Sequence, residues 1–392
     1  MNDEQEILAI KDVFKIFGDK PDIAKQMLDS GMGKDEIFEK TGQTIGVLNA
    51  NFSVKRGEIF VIMGLSGSGK STMVRLLNRL IEPTSGTITL NGKEITCLGD
   101  HELLDVRRKE MSMVFQSFAL MPHMTVLENA AFGLEVSGVG IKERTDRAIE
   151  ALAQVGLAGH EKSYPHQLSG GMQQRVGLAR ALTNDPTILL MDEAFSALDP
   201  LIRYEMQGEL IRLQKEQQRT IIFISHDLDE AIRIGDRIAI MEGGRVVQVG
   251  TPKELMMNPA DDYVATFFKG VSNTKLLKAG DIADQQNSCT IKVNGKVHPF
   301  ENLGQEFGYL VDDENKLKGV ISLAKVKSSP AEDTNQLLKL AEKDYLSVHT
   351  DTSLEDVMKL ATSTSYSLPV IAENGEFRGS ISKDQLLNSL SH

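Results

Sequence analysis

The stretch Gly64-Leu65-Ser66-Gly67-Ser68-Gly69-Lys70-Ser71 constrains this chain most, because it meets G-x-x-x-x-G-K-[ST] at every fixed position. It follows an apolar run, Glu58–Met63, and leads into Ser71–Leu80, where Val74, Leu77 and Leu80 recur at helical spacing. Strand, glycine loop and helix in that order point to phosphate binding. Glycines let backbone N–H groups close around phosphate oxygens, and the helix N-terminus adds partial positive charge. Lys70 is then placed to reach the β- and γ-phosphates, and the Ser71 hydroxyl to ligate Mg²⁺.

The rest of the first 270 residues fits a largely parallel sheet around such a loop. Short apolar runs at 187–191, 220–224 and 238–241 alternate with helical segments, and 128–160 is mostly helical. Residues 6–17 and 46–54 read as strands, and Asn91-Gly92 as a hairpin turn. Between those two strands lies a helical insert, 21–42. Pro21 suits a first helical position, Ile23, Met27 and Leu28 share a face, and a second helix, Lys34–Lys40, ends near Gly42. The pattern weakens after Lys269. Residues 275–392 read as two smaller αβ units. The second is the clearer, with a strand at Ser347-Val348, a helix at Ser353–Ala361 opened by Ser353-x-x-Asp356, and strands flanking Asn374-Gly375. The first repeats only the later half of that order.

Composition excludes several classes. A length of 392 residues exceeds one ordinary core. A net charge of -12 argues against a nucleic-acid partner. Cys97 and Cys289 are isolated, so neither a zinc cluster nor a disulfide framework is expected, and a reducing compartment is. The acidic opening, Met1–Glu6, has no signal-peptide pattern, and no run approaches the ~18 apolar residues of a membrane span, so a membrane role must come through a partner.

Two further motifs carry chemistry. Ile188–Met191 is an apolar strand ending in Asp192-Glu193. Asp192 at the strand edge is expected to hold Mg²⁺, and Glu193 just beyond it to polarise an attacking water. Leu168-Ser169-Gly170-Gly171-Met172-Gln173-Gln174-Arg175 precedes good helix formers at Val176–Leu182. A serine hydroxyl and glycine amides at a helix start make an anion site. Its own chain has no second phosphate to offer, so the site calls for a second copy, head to tail.

The order of Gly64–Ser71, Gln116, Leu168–Gln173, Asp192-Glu193, Ser196–Asp199 and His226 resembles the ABC ATPase family over residues 1–270. The resemblance implies an α/β fold, a P-loop ABC-type nucleotide-binding domain with a helical subdomain at about 117–182, dimerising around ATP and Mg²⁺. It implies that Phe17 stacks on adenine and that Gly64, Ser66, Gly67, Gly69, Lys70, Ser71 and Thr72 bind the phosphates. Gln116 would sense the γ-phosphate and Mg²⁺, and His226 would bond the γ-phosphate. Ser169, Gly170 and Gly171 would contact the opposite nucleotide, and Asp199 would bridge the subunits. The signature's fifth position is Met172, where glutamine is commonest.

Residues 25–47, 57–64, 77–84, 113–123, 191–203 and 234–241 are similar, more narrowly, to the ATP-binding subunits of the glycine betaine/proline betaine importers (ProV/OpuA-type). That likeness implies a homodimer at the cytoplasmic face of the cell membrane. Integral-membrane permease subunits and a substrate-binding protein or domain would be its partners in osmoprotective uptake. Residues 275–392 look like tandem CBS modules, the first degenerate and the second about 344–392, carried by Leu368-Pro369-Val370, Phe377-Arg378-Gly379 and Ser380–Asp384. They imply a regulatory adenine nucleotide or cyclic di-AMP near Ser382 and Asp384, or else a structural, dimerising tail.

The apolar loop Phe118, Leu120, Met121, Met124 reads either as a socket for a permease helix or as packing of the helical subdomain. Two rivals fit less well. A permease-free ABC ATPase calls for fused ATPase units or a coiled coil, and this chain has one phosphate loop and no heptad run. A non-catalytic regulator calls for loss of Glu193 or His226, and both are present.

Overall fold

The computed structural model describes residues 5–116, 118–285, 288–293, 306–328 and 334–390. The expectations for Met1–Glu4, for Ser117 within the 113–123 likeness, and for 286–287, 294–305, 329–333 and 391–392 lie outside the described residues. The chain divides into two compact units, Met1–Phe268 and Lys269–His392.

In the first unit, Ile59–Met63 is buried at every position, which is why it reads as an unbroken apolar run. It is an inner strand of a six-stranded sheet ordered Arg245–Gly250, Arg237–Glu242, Ile59–Met63, Thr220–Ser225, Ile188–Asp192, Met111–Val114. All neighbours run parallel except the Arg245–Gly250 edge. A second sheet, Thr44–Lys55, Glu6–Phe17, Ser85–Leu90 and Lys93–Glu94, is antiparallel. The helix Lys70–Leu77 shares one core with both sheets, where Met73, Val74, Leu76 and Leu77 meet Val47, Phe52, Phe60, Ile62 and Ile88. Helices Val126–Val136, Ile141–Gln154 and Gly170–Leu182 pack together as a separate helical layer. Thr125 and Glu128 form a capping box at its first helix.

Three local expectations are corrected. The helix after the glycine loop ends at Leu77 rather than Leu80, and Arg79 at φ 50 turns the chain, leaving Leu80 beyond the helix and 52% exposed. The insert does form two helices, Pro21–Asp29 and Lys34–Thr41, but its inward stripe is the buried Ala24 with half-buried Met27 and Leu28, and Ile23 faces solvent. Alanine gives too weak an apolar signal to show which face is inward. The signature helix starts at Gly170 rather than Val176, because Ser169 caps it and the glycines form its first turn.

The second unit holds two three-stranded sheets of matching order and direction. Thr290–Lys292 runs parallel to Phe307–Val311, which is antiparallel to Leu317–Ser322. Val348–His349 runs parallel to Leu368–Ile371, which is antiparallel to Phe377–Ile381. The two are joined by mutual bonds: Phe377 N–H donates to Asn315 O and the Asn315 amide to Phe377 O, both at 2.8 Å. Tyr309 stacks on Phe377 with ring centres 5.0 Å apart.

Candidate active site

Backbone crowding fixes the glycine loop. A Cβ on Gly64 would sit 2.2 Å from Met241 O, and one on Gly69, which has φ 98, would sit 2.4 Å from Gly46 O. Both partners are backbone, which cannot swing aside, so only glycine fits. Lys70 is buried and its ammonium donates to Gly64 O at 2.8 Å and Leu65 O at 2.9 Å. Burial pushes the Lys70 amine below its ordinary range, and the nearby Glu193 and Asp192 charges oppose that fall. A charge held by loop carbonyls is poised to be exchanged for phosphate oxygens.

The Ser71 hydroxyl donates to Asp192 Oδ1 at 3.2 Å. Burial raises the Asp192 carboxyl, with the Ser71 bond and the Arg75 and Lys70 charges acting the other way. A hydroxyl and a carboxylate side by side are hard oxygen donors that suit Mg²⁺, which completes its shell with water and substrate phosphates. In keeping with so sparse a donor set, no group of three or more His, Cys, Asp or Glu able to hold a metal occurs among the described residues.

Glu193 sits in left-handed backbone, φ 47, with its N–H donated to Ile224 O at 3.2 Å. That strained turn swings its carboxylate off the strand line. Its Oε1 lies 3.4 Å from His226 Nδ1, and its Oε2 accepts from Gln116 Nε2 at 3.4 Å. Gln116 also donates to Ser196 Oγ at 3.2 Å, and Ser196 Oγ returns to Glu193 O at 2.9 Å. Three strand ends therefore bring Gln116, Glu193 and His226 to one point.

These groups edge an open cleft of about 700 Å³, whose walls include Phe17, Thr44–Gly46, Leu65–Gly67, Gly69–Thr72, Glu193 and His226. Phe17 stands 40% exposed at the rim, with the Lys15 ammonium 5.0 Å from its ring centre. Gln116 and Asp192 reach the cleft only through their bonds to Glu193 and Ser71. Ser169, Gly170, Gly171 and Asp199 do not line it. Ser169 is exposed and accepts from Met172 N–H at 3.3 Å. Asp199 is exposed and accepts from Ile202 N–H at 3.1 Å, capping Pro200–Gln217. A Cβ on Gly171 would sit 2.5 Å from Ile202 Cγ2, so this glycine sets how closely those two helices pack.

Sequence reasoning missed several supports. Arg203 donates to Ser196 O at 3.3 Å and Leu198 O at 3.2 Å and pairs with Asp227 at 3.4 Å, tying the turn after Glu193 to the turn after His226. Glu230, buried beneath, accepts from Ser225 Oγ at 2.5 Å and Gln207 Nε2 at 2.9 Å. The apolar loop is fastened to the helical layer. Arg180 donates to Ala119 O at 2.6 Å and Phe118 O at 3.2 Å, and the Asn129 amide bonds both N–H and C=O of Met121. Phe118, Leu120, Met121 and Met124 are half-buried, while Pro122 and His123 are exposed. No local pattern marks these three: Arg180 reaches backbone far along the chain, Arg203 binds nearby turn carbonyls and the Asp227 side chain, and Asn129 bonds the backbone of the loop that precedes its own helix.

Comparison with known proteins gives concordant matches. Residues 47–196 match the family described as ABC transporter, and residues 339–392 match the CBS domain. The chain is 51% identical to the glycine betaine/proline betaine transport system ATP-binding protein ProV of Escherichia coli (strain K12), over 98% of this chain and 97% of that protein. It is 50% identical to the glycine betaine transport ATP-binding protein OpuAA of Bacillus subtilis (strain 168), over 99% and 94%. Among solved structures, the ATP-binding cassette MJ0796, a dimer in a post-hydrolysis state bound to ADP and Pi, superposes with a TM-score of 0.53. It is 33% identical, covering 62% of this chain and 98% of that one.

Proposed function

Because this chain belongs to the ATP-binding subunits of the glycine betaine ABC importers, we propose that it hydrolyses ATP to power uptake of a quaternary-amine compatible solute, glycine betaine or proline betaine. One observation carries the chemistry: Glu193, Gln116 and His226 converge beside the Ser71–Asp192 pair at the mouth of the Lys70 loop.

In this reading Lys70 leaves the Gly64 and Leu65 carbonyls for the β- and γ-phosphate oxygens, and the loop N–H groups wrap the rest. Glu193 accepts the proton of the attacking water. Gln116 and His226 hold that carboxylate and meet the γ-phosphate. Mg²⁺ on Ser71, Asp192 and Gln116 would neutralise developing charge when bound. Phe17 stacks on the base.

Ser169, Gly170, Gly171 and Asp199 are exposed or seated away from the cleft, as expected of groups that act on a second copy. The working unit is therefore a homodimer with two shared nucleotides. Loss of the γ-phosphate loosens it, and the opening stroke moves permease subunits that receive solute from a binding protein or domain. No described helix is long and apolar enough to cross a membrane. Docking on the permease, as the importer assignment calls for, holds the chain at the cytoplasmic face. The Phe118–Thr125 loop adjoins Gln116 and is part of that contact. The domain at 275–392 acts as a tandem CBS regulator taking an adenine nucleotide or cyclic di-AMP. Ser382 already caps its last helix, accepting from Gln385 N–H at 3.1 Å, so ligand binding there would compete with that cap.

Uptake of labelled glycine betaine and proline betaine by cells with and without this chain tests the assignment. Uptake abolished by Lys70→Ala supports it. Equal uptake of both solutes in cells lacking the chain removes it.

A further inference from the structure

The insert Pro21–Thr41 takes no part in the chemistry above, yet it sets a cation behind the nucleotide cleft. Lys34 opens the insert's second helix, the end where the helix dipole disfavours positive charge, while Asp35 and Glu36 fill the positions that dipole prefers. Helix stability does not explain a lysine there. Its side chain instead runs back to the sheet, and Nζ donates to Ile45 O at 3.3 Å. Ile45 and Gly46 belong to the cleft wall, and the Phe17 ring packs on Gly46 so closely that a Cβ there would meet it at 2.7 Å.

The other side of the same ammonium faces the turn Gly243-Gly244. A Cβ on Gly244 would sit 2.9 Å from Lys34 Nζ and 2.9 Å from Gly46 O. Gly244 also holds the phosphate loop, donating its N–H to Ser68 O at 2.9 Å, and accepts from Leu48 N–H at 2.8 Å. The Phe17-bearing wall and the turn beneath the phosphate loop thus meet at contact distance around one lysine. Burial, together with the nearby Arg245 charge, pushes the Lys34 amine below its ordinary range, with Asp35 opposing. The ammonium is held there by geometry and its carbonyl partner, at some electrostatic cost.

We propose that Lys34 is a positioning residue for the nucleotide: it keeps the wall that carries Phe17 in register with the phosphate loop, so that base and triphosphate are gripped together. The proposal rests on the nucleotide reading of the cleft. A ligand that spans two subsites gains from both only when their separation is correct. A ligand confined to the loop is indifferent to the wall.

The test uses the full chain as native protein, Lys34→Met and Lys34→Arg. It measures ADP affinity by calorimetry, inhibition by inorganic triphosphate, and KM and kcat for MgATP. Lys34→Met is expected to weaken ADP and raise KM about tenfold, the scale of one charge-assisted hydrogen bond. Inorganic triphosphate inhibition and kcat stay unchanged, and Lys34→Arg recovers most of the ADP affinity. Unchanged ADP affinity in Lys34→Met overturns the proposal. So does equal weakening of ADP and inorganic triphosphate, which signals a collapsed loop, or an arginine variant no better than methionine. Native protein that binds no ADP would instead overturn the nucleotide reading beneath it, so the two failures are told apart.

Discussion

Replacing Glu193 by glutamine removes one ionisable oxygen and almost nothing else. The amide has the same length, can still accept from Gln116 at 3.4 Å, and keeps the left-handed turn at φ 47 that the Ile224 bond holds. Fold and nucleotide binding should therefore survive. What disappears is the proton acceptor at the meeting point of Gln116 and His226. General-base catalysis contributes roughly 10²–10⁴ in rate, which at about 1.4 kcal/mol per decade is about 3–5 kcal/mol of the barrier. Binding should tighten, because a carboxylate no longer faces the γ-phosphate. The assay is phosphate release at saturating MgATP, beside equilibrium ATP binding and light scattering on the same preparation. The expected result is turnover lowered on the order of 10²–10⁴, with ATP bound and the dimer accumulated. Turnover within about tenfold of native, at full occupancy, would refute the role given to Glu193, since loss of a general base does not allow it.

Gly69→Ala should leave the secondary structure intact by circular dichroism but weaken ATP binding by about tenfold or more, because its methyl would meet Gly46 O at 2.4 Å from a φ of 98, a strain of roughly 1–3 kcal/mol at the loop itself; unchanged affinity would show that the loop relaxes freely. Glu230 gives a pH signature. Burial raises its carboxyl above the ordinary 4.5, against the Ser225 and Gln207 bonds. Its contribution to stability is thus full below that ordinary value and fades as pH climbs through the raised one. Glu230→Gln cannot ionise, so its melting temperature relative to native should rise as pH climbs from the ordinary 4.5 through the raised value. A flat or falling difference would mean that the carboxyl is not raised.

The chemistry was legible in the sequence wherever it is written in contiguous residues. Gly64–Ser71 and Ile188–Glu193 announce themselves because a loop, a strand edge and a helix start each need particular neighbours. Gln116 and His226 were legible only as a family resemblance, since a lone glutamine or histidine has no local signature. The left-handed turn that aims Glu193 is not written in any propensity, because an acid adopts it only when the surrounding strands impose it. Spacing places Leu80 on the helix and Ile23 on the face of Met27 and Leu28, because apolar periodicity says nothing about where a helix stops or which of two adjacent faces the sheet covers. Ala24 carries that second decision, and its side chain is too small to signal it. Lys34 was one charged residue on a short helix until Ile45 and Gly244 stood beside it. The matching strand order of the two small sheets in the second unit was half visible, since the opening half of the first is poorly patterned.

A mixing experiment tests the shared pocket most directly. Lys70→Ala disables the loop of one chain, and Ser169→Arg blocks the turn it presents to a neighbour; each protein alone should be inactive. Combined, they form mixed pairs in which one pocket has an intact lysine from one chain and an intact serine from the other, so ATP hydrolysis should reappear on mixing. Two inactive proteins that stay inactive in every proportion, or a Ser169→Arg chain that hydrolyses ATP at native speed, would contradict the claim that two copies enclose each triphosphate.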